Sequence, residues 1–153
     1  MNDIVYIKLN EANPKEFIPL LNANKTREHL IEHELFDENT VRDWLESKIK
    51  IDSSPGCKVR AIVIDKQLAG WCGVQLEDSK YEIAIVIGEN FWGSGRQIFS
   101  DIMHWAKALG HKTVYIHFLH TRPQYKFLHK ISRHAYESEL LGNKFTTYEL
   151  TVD

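Results

Sequence analysis

The sequence predicts an α/β domain built on a mixed, mostly antiparallel sheet. Residues 58–88 contain three β-branched segments separated by short turns, which is typical of an antiparallel meander. The third segment ends at Ile87, and a glycine-spaced turn and a helical apolar pattern follow it. Another β-branched segment, Thr113–Leu119, comes next. A strand–helix–strand unit of this kind places its two strands parallel through a right-handed crossover.

The elements before the meander are predicted as a strand and two helices. Ile4–Leu9 has the composition of a strand. Residues 13–16 (NPKE) form a helix start, with Asn as the cap, Pro at the first position and Glu three residues after the cap. The next helix is expected to begin at Asn39 or Thr40, and its predicted face is Val41, Trp44, Leu45, Lys48 and Ile49.

Glycine, proline and strand patterns also predict the second strand of the meander and the elements at the end of the chain. Gly70 and Gly73 interrupt the segment 68–76 and indicate a bulge or a close approach of two backbones. Pro123 is expected to begin a last helix, and residues 135–140 and 145–152 are expected to pair as a hairpin. The helix after the glycine-spaced turn should end at Gly110. Its predicted apolar face is formed by Ile98, Ile102, Trp105 and Leu109, with Phe99, Met103 and Ala106 beside them.

Length and composition predict one domain over residues 1–153, with a sizeable core. The chain is 43% hydrophobic and 26% charged, and its formal net charge is −2, so we expect no nucleic acid as a partner. No apolar run approaches the roughly 20 residues that span a bilayer, and Cys57 and Cys72 form no metal-type pair. We therefore expect a cytoplasmic protein with no membrane partner and no metal.

The glycine-spaced turn suggests an anion site. Gly93 and Gly95 lack a Cβ atom, so other atoms can approach their backbone closely and their φ angles are unrestricted. The first N–H groups of the following helix have no intrahelical partner, and together with the helix dipole they favour an anion such as a phosphate. A tight strand-to-helix turn that binds nothing would have the same glycine spacing, so these residues alone leave both interpretations open.

The order of elements, together with Asn90–Gly95 (NFWGSG), resembles the GCN5-related N-acetyltransferase (GNAT) family over essentially the whole chain. That family has Gln/Arg-x-x-Gly-x-Gly/Ala at the start of the helix after the fourth strand. The phrase FWGSG, preceded by YEIAIVIGEN, is similar to the branch that acetylates protein N-termini and related amines. The resemblance implies a seven-stranded sheet flanked by helices, with fourth and fifth strands that splay apart.

The resemblance also implies acetyl-CoA as a co-substrate. The N–H groups from residues 93–97 would hold its pyrophosphate, and residues 85–87 would hold the pantetheine like an added strand. Trp92 would flank the cofactor, and His120 stands where many members have an Asn at the end of the fifth strand. The implied cofactor-binding residues are Ile85, Val86, Ile87, Trp92, Gly93, Ser94, Gly95, Arg96, Gln97 and His120.

The sequence departs from the family pattern at several positions. Asn90 replaces the usual Gln or Arg, and Gln97 is bulkier than the usual Gly or Ala, so it would either crowd the phosphates or donate to them. Leu128 stands where many members have the Tyr that protonates the departing thiolate. Tyr125, one turn earlier, is the candidate for that role.

The reaction also needs a base, because an ammonium must lose a proton before its nitrogen attacks a thioester. Glu82 is the candidate, because it lies in the strand before the turn, where some members of the GNAT family carry a catalytic or substrate-binding Glu. The alternative is a cross-strand partner, for example for Arg60. His117 and His120 alternate with apolar neighbours close to the expected gap, and polar residues near a strand end are the simpler explanation for them.

These observations lead to a functional hypothesis. We expect an N-acetyltransferase that moves the acetyl group of acetyl-CoA to a primary amine, either a small amine, an antibiotic-like molecule or a peptide N-terminus. The alternative is a protein of the GNAT fold that binds acyl-CoA or a protein partner without catalysis. An exposed strand in the final hairpin would allow pairing in a homodimer.

Overall fold

The computed structural model describes residues 3–23, 35–77, 79–119, 132–140 and 143–152. Their strands are β1 (Ile4–Ile7), β2 (Lys58–Ile64), β3 (Gln67–Glu77), β4 (Lys80–Ile87), β5 (Thr113–Leu119), β6 (Ser132–Leu140) and β7 (Asn143–Thr151). Their α-helices are α1 (Pro14–Asn22), α2 (Glu38–Asp52) and α3 (Gly95–Ala108).

The seven strands of the described residues form one sheet in the order β1-β2-β3-β4-β5-β7-β6. Neighbouring strands are antiparallel except β4 and β5, which are parallel. The predicted meander, the parallel pair around the central helix and the final hairpin are therefore confirmed. β6 lies at one edge of the sheet, while its pairing in a homodimer stays a prediction.

Helices cover both faces of the sheet. α3 packs on the face formed by alternate residues of β4 such as Ile83, where Ile98 and Ile102 are fully buried. α1 and α2 pack on the opposite face, which includes Val86, and bury Phe17, Val41 and Leu45. The sheet is apolar on both faces because each face contacts helices.

The buried face of α3 agrees with the prediction except at Leu109. Ile98, Phe99, Ile102 and Ala106 are buried as expected, and Met103 and Trp105 are partly buried. Leu109 is 36% exposed, because it is the residue that caps the helix rather than part of its last turn. Gly110 has φ +91°, which confirms the expected glycine at the end of the helix.

Two element boundaries in the first third of the chain correct the predictions, and the hairpin strands also begin two or three residues earlier than predicted. The first strand ends at Ile7, because Leu9–Glu11 turns into a short 3-10 helix. α2 begins at Glu38, since Asp37 is its cap. The Asp37 carboxylate accepts from the Thr40 backbone N–H at 2.8 Å, and the Thr40 hydroxyl accepts from the Asp37 N–H at 2.8 Å. This reciprocal capping box fixes the helix start.

The helix predicted from Pro123 lies outside the described residues. Within the ranges that the structure describes, none of the helices combines the length and the apolar character needed to cross a lipid bilayer.

The glycines of β3 confirm the predicted close approach of backbones. A Cβ atom on Gly70 would lie 1.9 Å from the Val86 carbonyl oxygen, and one on Gly73 would lie 2.2 Å from the Lys58 carbonyl oxygen. Gly70 also borders a register shift, because β2 pairs with Gly70 and then with Leu68. These glycines let β3 lie in the middle of the sheet without a steric clash.

We expect Gly70→Ala to lower the free energy of unfolding by about 1–3 kcal/mol, because the new methyl group must displace backbone atoms of β4. Urea denaturation measures the change. Gly95→Ala is the matched control, since its Cβ would meet only the Ile87 Cδ1 atom at 3.7 Å. Equal stability of the Gly70→Ala variant and the control would contradict the described strand contact.

Candidate functional site

The candidate site begins where β4 and β5 stop pairing. Their parallel register joins residues 82–83 to residues 115–116. Beyond that point β4 continues to Ile87 and β5 to Leu119 without pairing to each other among the described residues. β3 pairs with β4 as far as Ile87, and β7 pairs with β5 as far as Leu119. Each strand is therefore held on its outer side while the inner edges separate into a gap.

The glycine-spaced turn lies at the far end of β4. Glu89–Ser94 forms a 3-10 helix that continues directly into α3. Neither Gly93 nor Gly95 has a positive φ, so the freedom of φ that the sequence suggested is not used. The Gly95 N–H donates to the Trp92 carbonyl oxygen. The turn thus satisfies part of its own backbone, which the sequence did not predict.

The glycines matter here because of the space beside them. A Cβ atom on Gly93 would meet nothing within 4 Å, and one on Gly95 would meet only Ile87 Cδ1 at 3.7 Å. A side chain at either of the β3 glycines would clash with backbone atoms, whereas a side chain at position 93 or 95 would not. The absence of side chains at these positions leaves open volume at the start of α3.

The side chain of Gln97 lies along the helix rather than over the turn. Its Nε2 atom donates to Oδ1 of Asp101, one helical turn later, at 3.0 Å. Asp101 also accepts a hydrogen bond from the Tyr6 hydroxyl, so it links α3 to β1. Burial, and then this bond to Asp101, raise the pKa of Tyr6 above its ordinary range. Arg96 is exposed and Ser94 is buried.

Trp92 connects the turn to the end of β4. Its indole Nε1 donates to the Ile87 carbonyl oxygen at 3.1 Å, while 44% of the residue is exposed. The indole therefore lies beside the edge of β4 that faces the gap. Ile85, Val86 and Ile87 form that edge.

Glu82 lies at the base of the gap, and only 15% of its side chain is exposed. Its Oε1 atom accepts from Gln75 Nε2 at 2.6 Å, and the Gln75 Oε1 atom accepts from Lys48 Nζ at 3.0 Å. Burial lowers the pKa of Lys48, whereas the charges of Glu82 and Glu77 oppose that change. A chain of hydrogen bonds thus runs from α2 across β3 to the Glu82 carboxylate.

The suggested pairing of Glu82 with Arg60 is wrong. Arg60 forms an ion pair with Asp52 at 2.6 Å. Its neighbours along β2, Val59 and Ala61, face α1 and α2, so Arg60 alternates to the opposite face of the sheet from Glu82.

His117 lies on β5, next to Glu82. Its Nε2 atom is 3.4 Å from Glu82 Oε2, and its Nδ1 atom is 2.7 Å from the Thr147 hydroxyl oxygen on β7. Burial lowers the pKa of His117; the charge of Lys80 acts in the same direction and that of Glu77 opposes it. The ring is therefore neutral at neutral pH and available to accept a proton.

The arrangement has two parts separated by the length of one strand. Glu82 and His117 lie where the gap opens, on the face covered by α1 and α2, and the glycine-spaced turn lies beyond Ile87. Five residues of extended chain separate Glu82 from Ile87, about 16 Å. An elongated molecule with an anionic group at one end fits this arrangement, and its other end would reach the carboxylate and the imidazole.

Glu82 was predicted from the sequence, but the residues that position its side chain were not. Gln75 is 6% exposed and Thr147 is fully buried. Polar residues at buried positions of a strand were the signal that could have identified them. His120 and Tyr125, predicted to bind the cofactor and to protonate the thiolate, lie outside the described residues.

No protein-family model and no curated protein matches the sequence. The fold, however, is similar to solved structures along almost the whole chain. Spermidine N-acetyltransferase from Vibrio cholerae, in complex with CoA and spermine, has a TM-score of 0.73 at 11% identity, over 99% of this chain and 95% of that one. An N-acetyltransferase from Staphylococcus aureus Mu50 has a TM-score of 0.69 at 14% identity, over 100% of this chain and 99% of that one.

A GNAT-family acetyltransferase from Streptococcus pneumoniae has a TM-score of 0.64 at 15% identity, over 98% of this chain and 99% of that one. The chain therefore has the fold of the GNAT acetyltransferases, which confirms the predicted fold class. The divergence of β4 and β5 that the fold class implied is present as well.

The lowered pKa of His117 predicts a pH dependence of stability. The unfolded chain protonates this ring near pH 6.5 and the folded chain only at lower pH, so stability falls as the pH drops below about 6.5. We expect His117→Gln to remove the share of this stability loss that comes from the His117 ring. That share is about 1.4 kcal/mol for each unit by which the pKa of the folded chain lies below that of the unfolded chain. Urea denaturation at pH 7.5 and 5.0 measures it.

His134→Gln is the control, because His134 is exposed on the edge strand β6. Identical losses of stability between the two pH values in the wild type and in His117→Gln would contradict the burial of this ring.

Proposed function

We propose that this protein is an N-acetyltransferase of the GNAT family that moves the acetyl group of acetyl-CoA to a primary amine. The observation that carries the proposal is the separation of β4 and β5 directly beyond Glu82 and His117. It supplies an elongated gap with a candidate base at its closed end and a glycine-spaced helix start at the other.

Acetyl-CoA fits this gap as a co-substrate. Its pyrophosphate would lie in the open volume beside Gly93 and Gly95, near the positive end of the α3 dipole. The start of α3 at residues 93–97 is the candidate pyrophosphate site, and the Gly95 N–H within it also donates to the Trp92 carbonyl oxygen. The pantetheine would lie along residues 85–87, whose inner edge has no partner strand among the described residues.

The transfer needs a base and a group that stabilises the oxyanion. Glu82 is our candidate for removing the proton of the ammonium, directly or through a neighbour. A backbone N–H on the inner edge of β4 would donate to the oxygen of the tetrahedral intermediate. His120 stays a predicted cofactor contact, and Tyr125 stays a predicted proton donor to the thiolate.

The acceptor is a primary amine, and we include both peptide N-termini and polyamines among the candidates. The sequence around the turn supports a peptide N-terminus or a related amine. A polyamine belongs in the set because a neighbour in fold is a spermidine N-acetyltransferase. A cytoplasmic location agrees with both.

The purified protein is mixed with acetyl-CoA and a panel of amines, and a chromogenic thiol reagent follows the release of CoA. The panel contains n-propylamine, spermidine, an aminoglycoside and a short peptide with a free N-terminus. Release that depends on the amine supports the transferase. Binding of CoA without release would instead favour the non-catalytic alternative, and no binding of CoA would reject the cofactor site.

Gly95→Val should weaken acetyl-CoA binding by at least about tenfold, because the branched side chain occupies the volume assigned to the pyrophosphate, and each tenfold is about 1.4 kcal/mol. Isothermal titration calorimetry measures the affinity. Gly95→Ala is the matched control, since the family motif accepts alanine at this position. Unchanged affinity in Gly95→Val would remove the pyrophosphate from this turn.

Glu82→Gln should lower kcat by about 100-fold or more while acetyl-CoA affinity stays the same, because the amide can neither take up a proton nor stabilise a neighbouring cation. The amide oxygen can still accept from Gln75, so the fold is preserved. Glu139→Gln on β6 is the control, since this carboxylate is exposed. Full turnover in Glu82→Gln across the pH range would exclude Glu82 from the reaction.

A further inference from the structure

The pair formed by Glu82 and His117 spans the only place where β4 and β5 still meet among the described residues. Glu82 belongs to the last paired positions of β4, and His117 is the residue directly after the last paired position of β5. Both side chains lie on the face covered by α2, because Lys48 of α2 reaches Glu82 through Gln75. The pair therefore marks the closed end of the gap.

Hydrogen bonds on the outer sides of the two groups fix their orientation. Gln75 donates to Glu82 Oε1 at 2.6 Å, and the Thr147 hydroxyl bonds to His117 Nδ1 at 2.7 Å. Glu82 Oε2 and His117 Nε2 consequently face each other at 3.4 Å. This distance exceeds the 2.7–3.2 Å or so of a good N–H···O bond, so the two atoms are spaced more widely than a direct hydrogen bond requires.

We propose that Glu82 and His117 bind one primary ammonium group between them, and that His117 Nε2 accepts its proton. This inference rests on the proposed function and deepens it. Two acceptor atoms 3.4 Å apart can both lie about 2.9 Å from a single nitrogen, and an ammonium has three N–H donors. When the Thr147 hydroxyl accepts from Nδ1–H, the Nε2 atom keeps its lone pair for the ammonium.

The charges around the pair suit these two roles. The charged residues on this face of the sheet are Lys48 from α2, Glu77 from β3, Lys80 and Glu82 from β4, and Glu149 from β7 among the described residues near the pair. Burial keeps the resting ring neutral, and the Glu82 carboxylate stabilises both the bound ammonium and the imidazolium that replaces it. Glu82 therefore attracts the cation, while the neutral imidazole of His117 supplies the nitrogen that accepts the proton.

The proposed step is balanced. The ammonium R–NH3⁺ gives one proton to His117 Nε2, and the freed lone pair of the amine attacks the carbonyl carbon of acetyl-CoA. The new C–N bond forms, the C–S bond breaks, and its electron pair leaves on the CoA sulfur. A second proton passes from the nitrogen to the thiolate, and the imidazolium returns its proton to water.

Kinetics test the role of His117 with the best amine of the panel. We expect His117→Gln to lower kcat by about 100-fold with an unchanged KM for acetyl-CoA, because the amide cannot accept a proton. The rate of this variant should rise with pH only as the ammonium of the substrate loses its proton in solution. Thr147→Val, which keeps the side-chain shape, should cause a smaller loss in kcat. A fall of less than threefold in His117→Gln, or an unchanged pH profile, overturns the proposal.

A second experiment needs no turnover. The ring resonances of His117 are followed by NMR while n-propylammonium chloride is added, with tetramethylammonium chloride as the control, since that cation has no N–H donor. In the wild type we expect n-propylammonium to shift the His117 resonances and tetramethylammonium to leave them unchanged. In Glu82→Gln we expect neither salt to shift them. In addition, Glu82→Gln should lower the pKa of His117, because it removes the carboxylate that faces the ring. An unshifted pKa, or no response to n-propylammonium, overturns the proposal.

The two experiments separate the two hypotheses. Binding of n-propylammonium without thiol release from any amine supports the ammonium site and rejects the transferase. Thiol release without an effect of n-propylammonium on His117 supports the transferase and rejects the ammonium site.

Discussion

The short pairing between β4 and β5 is the constraint on which the rest of this structure depends. Hydrogen bonds join the two strands at two register positions, and both strands then continue apart. The separation is stable because β3 and β7 each hold one of the two strands along its full length. Parallel strands that diverge in the middle of a sheet leave backbone groups and side chains facing each other across a gap, and the candidate site consists of those groups.

Local patterns of the sequence predicted most of the fold. The meander, the parallel pair and the hairpin follow from β-branched segments and turn residues that lie within a few positions of each other. The start of α2 was predicted at Asn39 or Thr40 rather than at Glu38, because both Asp37 and Asn39 are residue types that cap helices well. The Thr40 hydroxyl decided between them by completing the capping box with Asp37. Leu109 has the right helical spacing, but the helix ends before it can be buried.

The candidate site was predictable only in part, because its contacts join residues far apart in the chain. Glu82 was found from its position in a strand. Its bond to Gln75 and its approach to His117 depend on the register of three strands, which no local pattern specifies. The suggested link to Arg60 is wrong for the same reason, since the alternation of β2 places Arg60 on the other side of the sheet. Long-range register, rather than residue type, decides which polar groups meet.

The bond between Trp92 and Ile87 has a consequence for how a bound molecule would be held. The indole of Trp92 ties the turn to the last residue of β4. A displacement of the turn would therefore move the end of β4, and a displacement of the end of β4 would move the turn. The distance from Glu82 to the turn is therefore set by the extended length of β4 together with this indole bond.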